Sequence, residues 1–389
     1  MEERTSLERL RGANRRAVLA ALAGQGPQSR ANLARATGLS RTTVSSIVHE
    51  LIAAGQAVET SERGRPHKGG SGRPPLLVAA TAAHGAVAGI DLGHHHIRVA
   101  IANQHGSVLA EETHEVDVDD HGTEVLDRVT RMVGSLAASA GLDPGQLRGA
   151  GLCVPAPIDR RSAQIRSDVM PGWRDLAPAQ RLAERLGVPV AADNDANLGA
   201  LAELHHGAAR GVGDFVYLKL ASGVGAGLVL GGRLYRGGTG IAGEIGHVQI
   251  AEHGRVCRCG HRGCLETEVS VPRLLEHARP ADSPTLGVEE LLLLERAGDA
   301  GVRRVLGDAG RTVGRALADL CNSLNPAMLV IGGPLCSATS LLAGVRESVD
   351  RYAQPNAAAA LRVAPAALGE RAEVTGALAM AIARAALAD

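Results

Sequence analysis

The chain has 389 residues, 45% hydrophobic and 21% charged, with equal numbers of acidic and basic side chains, the profile of a folded protein of two or three domains rather than a disordered or fibrous one. No apolar run reaches the roughly 18 residues of a membrane span, and the N-terminus, MEERTSLERLRGANRR, lacks the apolar stretch of a secretory signal, so a cytoplasmic protein without a membrane partner is expected. Residues 1–80 hold 12 Lys and Arg against 6 Asp and Glu, whereas the remainder holds 29 against 35, which implies a basic module that meets a polyanion, joined to an acidic body.

The basic module begins with NRRAVLAAL (14–22), which places Val18, Leu19 and Leu22 on one helical face. In the next segment Ser29 is placed to cap a helix with Leu33 and Ala34 inward, and Gly38 allows a tight turn. Ser40 then caps a third helix, 41–55, with Val44, Ile47, Val48, Leu51 and Ile52 as an apolar stripe. Its opposite face carries Arg41, Thr42, Ser45, Ser46 and His49, short polar groups and one Arg suited to base edges in the major groove. A wing is expected next, opening with a strand at 57–59. In it Arg63, Arg65, Lys68 and Arg73 are available to phosphates, and Arg63-Gly64-Arg65-Pro66 fits a narrow minor groove. For 64–71 a flexible linker is the alternative. These features predict a winged helix-turn-helix domain over residues 1–80 that binds double-stranded operator DNA.

The body, 81–389, opens with three short strands over 85–116, turning at Gly93 and Gly106, followed by a helix near 122–140. A strand at 147–159 enters a Pro-rich loop. Residues 188–207 are expected to form a strand, a polar loop and a helix, and 214–235 a hairpin joined by a Gly-rich loop. Residues 310–335 are a helix leading to a buried strand, and 372–387 a closing helix. Strand triplets followed by helices, twice, predict an α/β body of two lobes with a cleft between them.

From Gly89 to about Leu387 the chain resembles the ROK family, most distinctively in GIAGEIGHVQIAEHGRVCRCGHRGCLETEVS (240–270), and with its N-terminal module it is similar to the family's sugar-responsive regulators. The resemblance implies an actin-like ATPase (ribonuclease H-like) two-lobe fold, a sugar or sugar-phosphate effector in the cleft, a structural zinc and a repressor's role. The chain is read as a homodimer or homotetramer.

The spacing His247-x9-Cys257-x-Cys259-x4-Cys264, within the segment 247–264, supplies one imidazole and three thiolates, a closed tetrahedral set for Zn2+. Gly260 and Gly263 let the backbone wrap the ion. His261 competes on spacing alone as the fourth ligand; the resemblance favours His247. It also implies that Asn194, Asp195, Glu244, His247 and Glu266 ring the sugar, with Asp195 at the position of the kinases' catalytic base, and His247 is expected to bridge metal and ligand.

Two departures bear on activity. Val169, beside Asp168, stands where the family's kinases have Asn before Pro-Gly-Trp. The kinases' first phosphate loop, Asp-x-Gly-Gly-Thr, is replaced by Asp91-Leu92-Gly93-His94-His95, and a His side chain obstructs the approach of phosphate to the backbone. A metal site on the three histidines is an alternative reading of that segment. The Gly-rich ASGVGAG (221–227) and IGGP (331–334) are better kept. The expectation is a sensor that has lost phosphoryl transfer, with a vestigial Asp195 and no catalytic residue; the rival is an active sugar kinase with a DNA-binding head.

Overall fold

A computed structural model describes residues 27–54, 56–63, 76–80, 85–143, 145–159, 161–165, 170–279 and 285–385, together with parts of 11–22. Strand β1 (Gln28–Ser29) leads into a helix, Arg30–Thr37, whose N-terminus is capped by the Ser29 hydroxyl accepting from the Asn32 amide at 3.2 Å. Ser40 caps the next helix, Arg41–Ala53, in the same way, accepting from Thr43 N at 3.1 Å. Each cap satisfies an amide that the first helical turn leaves without a partner. Val18, Leu22, Leu33, Val44, Val48 and Leu51 close into one small core. Strands β2 (Ala57–Arg63) and β3 (Leu76–Ala80) pair antiparallel, and β3 also pairs with β1, giving a three-stranded wing sheet. The sheet extends beyond the strand expected at 57–59, to Arg63 on β2 and to the added strand β3.

The body contains two five-stranded sheets of one topology. The first joins β4 (Ala86–Leu92), β5 (His96–Asn103), β6 (Val108–Glu115), β7 (Leu147–Val154) and β8 (Val190–Asn194) in the order β6-β5-β4-β7-β8. The second joins β9 (Phe215–Leu220), β10 (Val224–Leu230), β11 (Arg233–Tyr235), β12 (Met328–Gly332) and β13 (Arg362–Pro365) in the order β11-β10-β9-β12-β13. In each, the first three strands form an antiparallel meander and the last two add in parallel. Parallel neighbours need crossover helices, which cover one face of each sheet, while the helices Ala372–Ala385 and Asp195–His206 cover the other faces. The two-lobe α/β architecture is therefore the actin-like one, preceded by the winged helix-turn-helix.

Burial follows the two-residue period of the strands. On β4, Ala86, Ala88, Ile90 and Leu92 pack with Val125, Leu126 and Val129 of the helix Gly122–Ser139. Val87 faces the other way, towards Val374 and Leu378 of the closing helix Ala372–Ala385. On β9, Val216, Leu218 and Leu220 enter a core shared with the long helix Ala300–Leu324, while Phe215 and Tyr217 meet Ala200 of the helix Asp195–His206. The period therefore turns Lys219 to the same side as Phe215 and Tyr217.

The closing helix is common to both lobes. It packs on β4 and β7 of one and on the helix Asp195–His206 of the other. Close approach is possible because glycines stand at the contacts: a Cβ on Gly151 would strike the Ala377 carbonyl, and one on Gly376 the Leu198 carbonyl. Between β8 and the helix Asp195–His206 there is no polar loop, contrary to expectation. Strand passes directly to helix, because Asn194 ends the one and caps the other, its Oδ1 accepting from Asn197 N at 2.9 Å.

Candidate functional site

The strand-to-helix junction fixes Asn194 and Asp195 at the floor of a hollow of about 80 Å³. Because Asn194 Oδ1 is used in the helix cap, its amide nitrogen is the group left for a ligand. Glu244 comes from the loop after β11 and starts the short turn Ile245–His247. Glu266 enters from the first turn of the helix Glu266–Val269 and is held by Val224 N, which donates to its Oε2 at 3.0 Å, and by Arg258 Nε, 3.3 Å from its Oε1. The hollow thus brings together all five residues assigned to the sugar: Asn194, Asp195, Glu244, His247 and Glu266. Burial, with Asp195 and Glu266 nearby, raises the Glu244 carboxyl to about 7. Three carboxylates and an amide suit a ligand rich in hydroxyl donors.

His247 faces two ways. Its Nδ1 is 3.6 Å from Cys257 Sγ, and its Nε2 is 3.7 Å from Glu244 Oε2. The donor atoms of His247, Cys257, Cys259 and Cys264 all lie within 4.8 Å of one another, a cluster able to hold a metal ion. The Cys259 and Cys264 sulfurs are 3.7 Å apart; sulfurs bonded to zinc at about 2.3 Å stand about 3.8 Å apart along a tetrahedral edge, so the set fits that ion. The His261 ring approaches Cys259, at 3.6 Å, and stands outside the four-residue cluster. Gly260 and Gly263 both take positive φ, +89° and +66°, as the tight wrap requires. Burial and the two neighbouring cysteines push the Cys264 thiol up to about 12, so a metal entering this set must displace protons.

Lys219, absent from the sequence-derived site, stands between the hollow and the cleft behind it. Its ammonium lies 3.0 Å from Asp195 Oδ2 and 2.9 Å from Glu373 Oε1 of the closing helix. Burial works against the charge, but Asp195 and Glu373, with Cys153 and Asp91 behind them, hold the Lys219 pKa well above the usual lysine value. Asp195 Oδ1 accepts from the Ala196 amide at 2.8 Å, so both oxygens of this carboxylate are engaged. A signal was available: Lys219 is one of two lysines in the chain and interrupts the apolar strand FVYLKL.

The cleft beyond Lys219 encloses about 710 Å³. It is faced by Asp91, Glu115, Asp117, Glu370 and Glu373, against the cations Lys219 and Arg98, of which Arg98 is itself bonded to Glu370. A polyphosphate would meet mostly like charge there. At the first phosphate loop the obstruction comes from the third histidine. The His96 ring covers Gly93, so that a Cβ on Gly93 would overlap it, and His96 Nε2 lies 3.1 Å from Asp91 Oδ2. Burial alone would raise the Asp91 pKa; the bond and charge of His96, with Lys219, carry it below the ordinary value. The three histidines do not converge on a common ion: His94 turns to Asp119, His96 to Asp91, and His95 lines the cleft.

In the N-terminal module, Arg41, Thr42, Ser45, Ser46 and His49 are all exposed on one face of their helix, together with Glu50. Arg63 closes β2. Arg65, Lys68 and Arg73, like Asp168 and Val169, lie outside the described residues. Among the described residues no helix is long and apolar enough to cross a membrane.

Fold and site define a class: a winged helix-turn-helix on a two-lobe, sugar-kinase-like body. The ROK family model matches residues 87–384 and the IclR helix-turn-helix domain model residues 16–60. The chain belongs to the ROK family. It is 29% identical over 365 residues to the xylose repressor of Bacillus spizizenii, covering 93% of each chain. A crystal structure of a ROK family transcriptional regulator, a homologue of the E. coli Mlc protein, superposes with a TM-score of 0.73 at 26% identity, covering 97% of this chain and 96% of that one. The glucokinase of Thermotoga maritima is 31% identical over 305 residues, covering 95% of the kinase but 74% of this chain.

Proposed function

We propose that the protein is a sugar-responsive transcriptional repressor that binds a sugar or sugar phosphate without phosphorylating it. The observation that carries this reading is the engagement of Asp195 by Lys219 in a body that bears a DNA-reading head. A carboxylate paired with an ammonium keeps lone pairs that accept a hydrogen bond from a hydroxyl, but the pairing opposes transfer of the hydroxyl's proton to it. The His96-covered loop and the acidic cleft support the same conclusion, since phosphoryl transfer rests on positioning and on stabilising charge around the phosphates.

In this reading Asn194, Asp195, Glu244, His247 and Glu266 hold the effector's hydroxyls, and the Arg258 contact to Glu266 positions one of those acceptors. Zn2+ is bound by His247, Cys257, Cys259 and Cys264 as a structural ion, since four protein ligands leave no open position. Bound there, the ion would cross-link the segment 247–264; the chain's own contribution is the orientation of His247 towards Glu244. Effector closes the lobes about the closing helix, and that movement changes the spacing of two recognition helices in a homodimer or a homotetramer built from such pairs. The half-sites of such a dimer stand about 34–36 Å apart or a multiple of that. Arg41, Thr42, Ser45, Ser46 and His49 enter the major groove, and Arg63, Arg65 and Arg73 contact the flanking backbone. Residues 1–80 and 81–389 are the two functional units.

The retained Asp195 and Gly-rich 221–227 favour one rival, an active sugar kinase with a DNA-binding head. Incubation with ATP and a panel of hexoses and pentoses separates the two: turnover at ordinary kinase rates, 1 to 10³ s⁻¹ in order of magnitude, would sink the sensor reading. Footprinting on operator DNA with and without the same sugars is the positive test.

A further inference from the structure

Of the three histidines in the first loop, His94 alone lines the sugar hollow. It reaches that hollow from the sheet of β4, β5 and β8, across from Glu244 and Glu266. Its ring is held firmly, with Nδ1 lying 2.8 and 2.9 Å from the two oxygens of Asp119. A carboxylate only accepts, so Nδ1 carries the hydrogen. The Nε2 atom on the far side of the ring makes no hydrogen bond among the described residues, although the side chain is only 12% exposed.

The support for this ring is built in depth. The His94 carbonyl accepts from Val118 N at 3.0 Å and the His95 carbonyl from Val116 N at 3.1 Å, which lashes the loop to the segment carrying Asp119. That segment is fixed in turn by Trp173 Nε1, which donates to the Val118 carbonyl at 2.6 Å, and by Gly172 N, which donates to the Asp119 carbonyl at 2.9 Å. An imidazole with a fixed tautomer and a rigid backbone, lining a polar hollow and keeping one nitrogen unused, is organised for recognition in advance of the ligand.

We propose that His94 is a specificity-determining residue of the effector site: its Nε2 accepts a hydrogen bond from one hydroxyl of an uncharged sugar held against Asp195. The inference rests on the sensor reading above and adds to it the face of the sugar that is read from the histidine loop. It also accounts for the loop's composition. The small residues that would receive phosphate have given way to an acceptor for the sugar itself. The carboxyl groups of Asp195, Glu244 and Glu266 complete an acceptor-rich site suited to hydroxyl donors, its cations Lys219 and Arg258 being already paired with Asp195 and Glu266.

The test is calorimetric titration of the full-length, zinc-loaded protein with D-xylose, D-glucose and their monodeoxy analogues, for the wild type, His94→Ala, His94→Gln and Asp119→Asn. The expected result is a loss of roughly tenfold in affinity for the better-bound sugar in His94→Ala, the size of one hydrogen bond between a neutral ring and a hydroxyl. One deoxy analogue should lose a similar factor against the wild type and nothing further against His94→Ala. His94→Gln, whose amide extends to the region of Nε2, should recover part of the loss, and Asp119→Asn should lose part of the affinity. A purely structural histidine would instead weaken every analogue equally. Such uniform loss, or His94→Ala binding as tightly as the wild type, overturns the assignment. If His94→Ala does not fold, His94→Gln against the deoxy series carries the same test. Should the wild type itself bind no sugar, the sensor reading fails, and this assignment with it.

Discussion

Replacing Lys219 by Met removes the one ammonium between Asp195 and Glu373. In the folded protein Glu373 is 8% exposed, and burial together with Asp91 and Asp195 already raises its pKa despite the lysine at 2.9 Å. Without the lysine those effects act unopposed. Removing one partner of a buried pair costs about 3–5 kcal/mol, and since Asp195 and Lys219 are about a fifth exposed the lower end, about 3 kcal/mol near neutral pH, is expected. The pH dependence has a definite sign. A carboxyl whose folded pKa is raised contributes its full stability below the unfolded value and loses it as pH rises through the folded one. The difference between variant and wild type should therefore be small at pH 5 and grow through neutrality towards pH 8; taking the difference cancels the common titration of the zinc ligands. Urea unfolding followed by circular dichroism measures this, and Lys219→Met/Glu373→Gln should recover most of the loss. A Lys219→Met protein as stable as the wild type at pH 8, or one not rescued by Glu373→Gln, would refute the buried-pair argument.

Zinc at 100 times its dissociation constant should add about 2.7 kcal/mol to the wild type and little to Cys259→Ser, read as the shift in thermal midpoint on adding metal; equal shifts would deny Cys259 a place among the ligands. Metal uptake should release protons, most visibly in weakly buffered solution near neutral pH, because the Cys264 thiol at about 12 must ionise to bind. Arg41→Ala should weaken operator binding roughly tenfold or more while sugar affinity stays constant; unchanged footprints would mean that the recognition helix is misassigned. The logarithm of operator affinity should fall with the logarithm of salt concentration at about −0.9 per phosphate neutralised, and Arg65→Ala and Arg73→Ala should each flatten that slope by about one phosphate.

The features legible in the sequence are those fixed over short distances along the chain. Ser29 and Ser40 cap helices because a cap needs only its own next three residues. The apolar stripe from Val44 to Leu51 follows from helical period alone, and the donor cluster at 247–264 from spacing within one loop. The strand Leu76–Ala80 is not legible in the sequence, because five residues beside a Gly/Pro/Arg stretch carry too little pattern to separate strand from linker.

Tertiary structure decided the rest. That Lys219 would bond both Asp195 and Glu373 depends on β9 meeting the first turns of two helices, one of them more than 150 residues further along. That His94 would look into the sugar hollow while His96 covered Gly93 depends on the loop being tied to Val116 and Val118. Local propensity fixes which residues form an element and which side they face. Which distant charge or ring meets them is set by how the sheets and the closing helix pack, and no short stretch of sequence encodes that meeting.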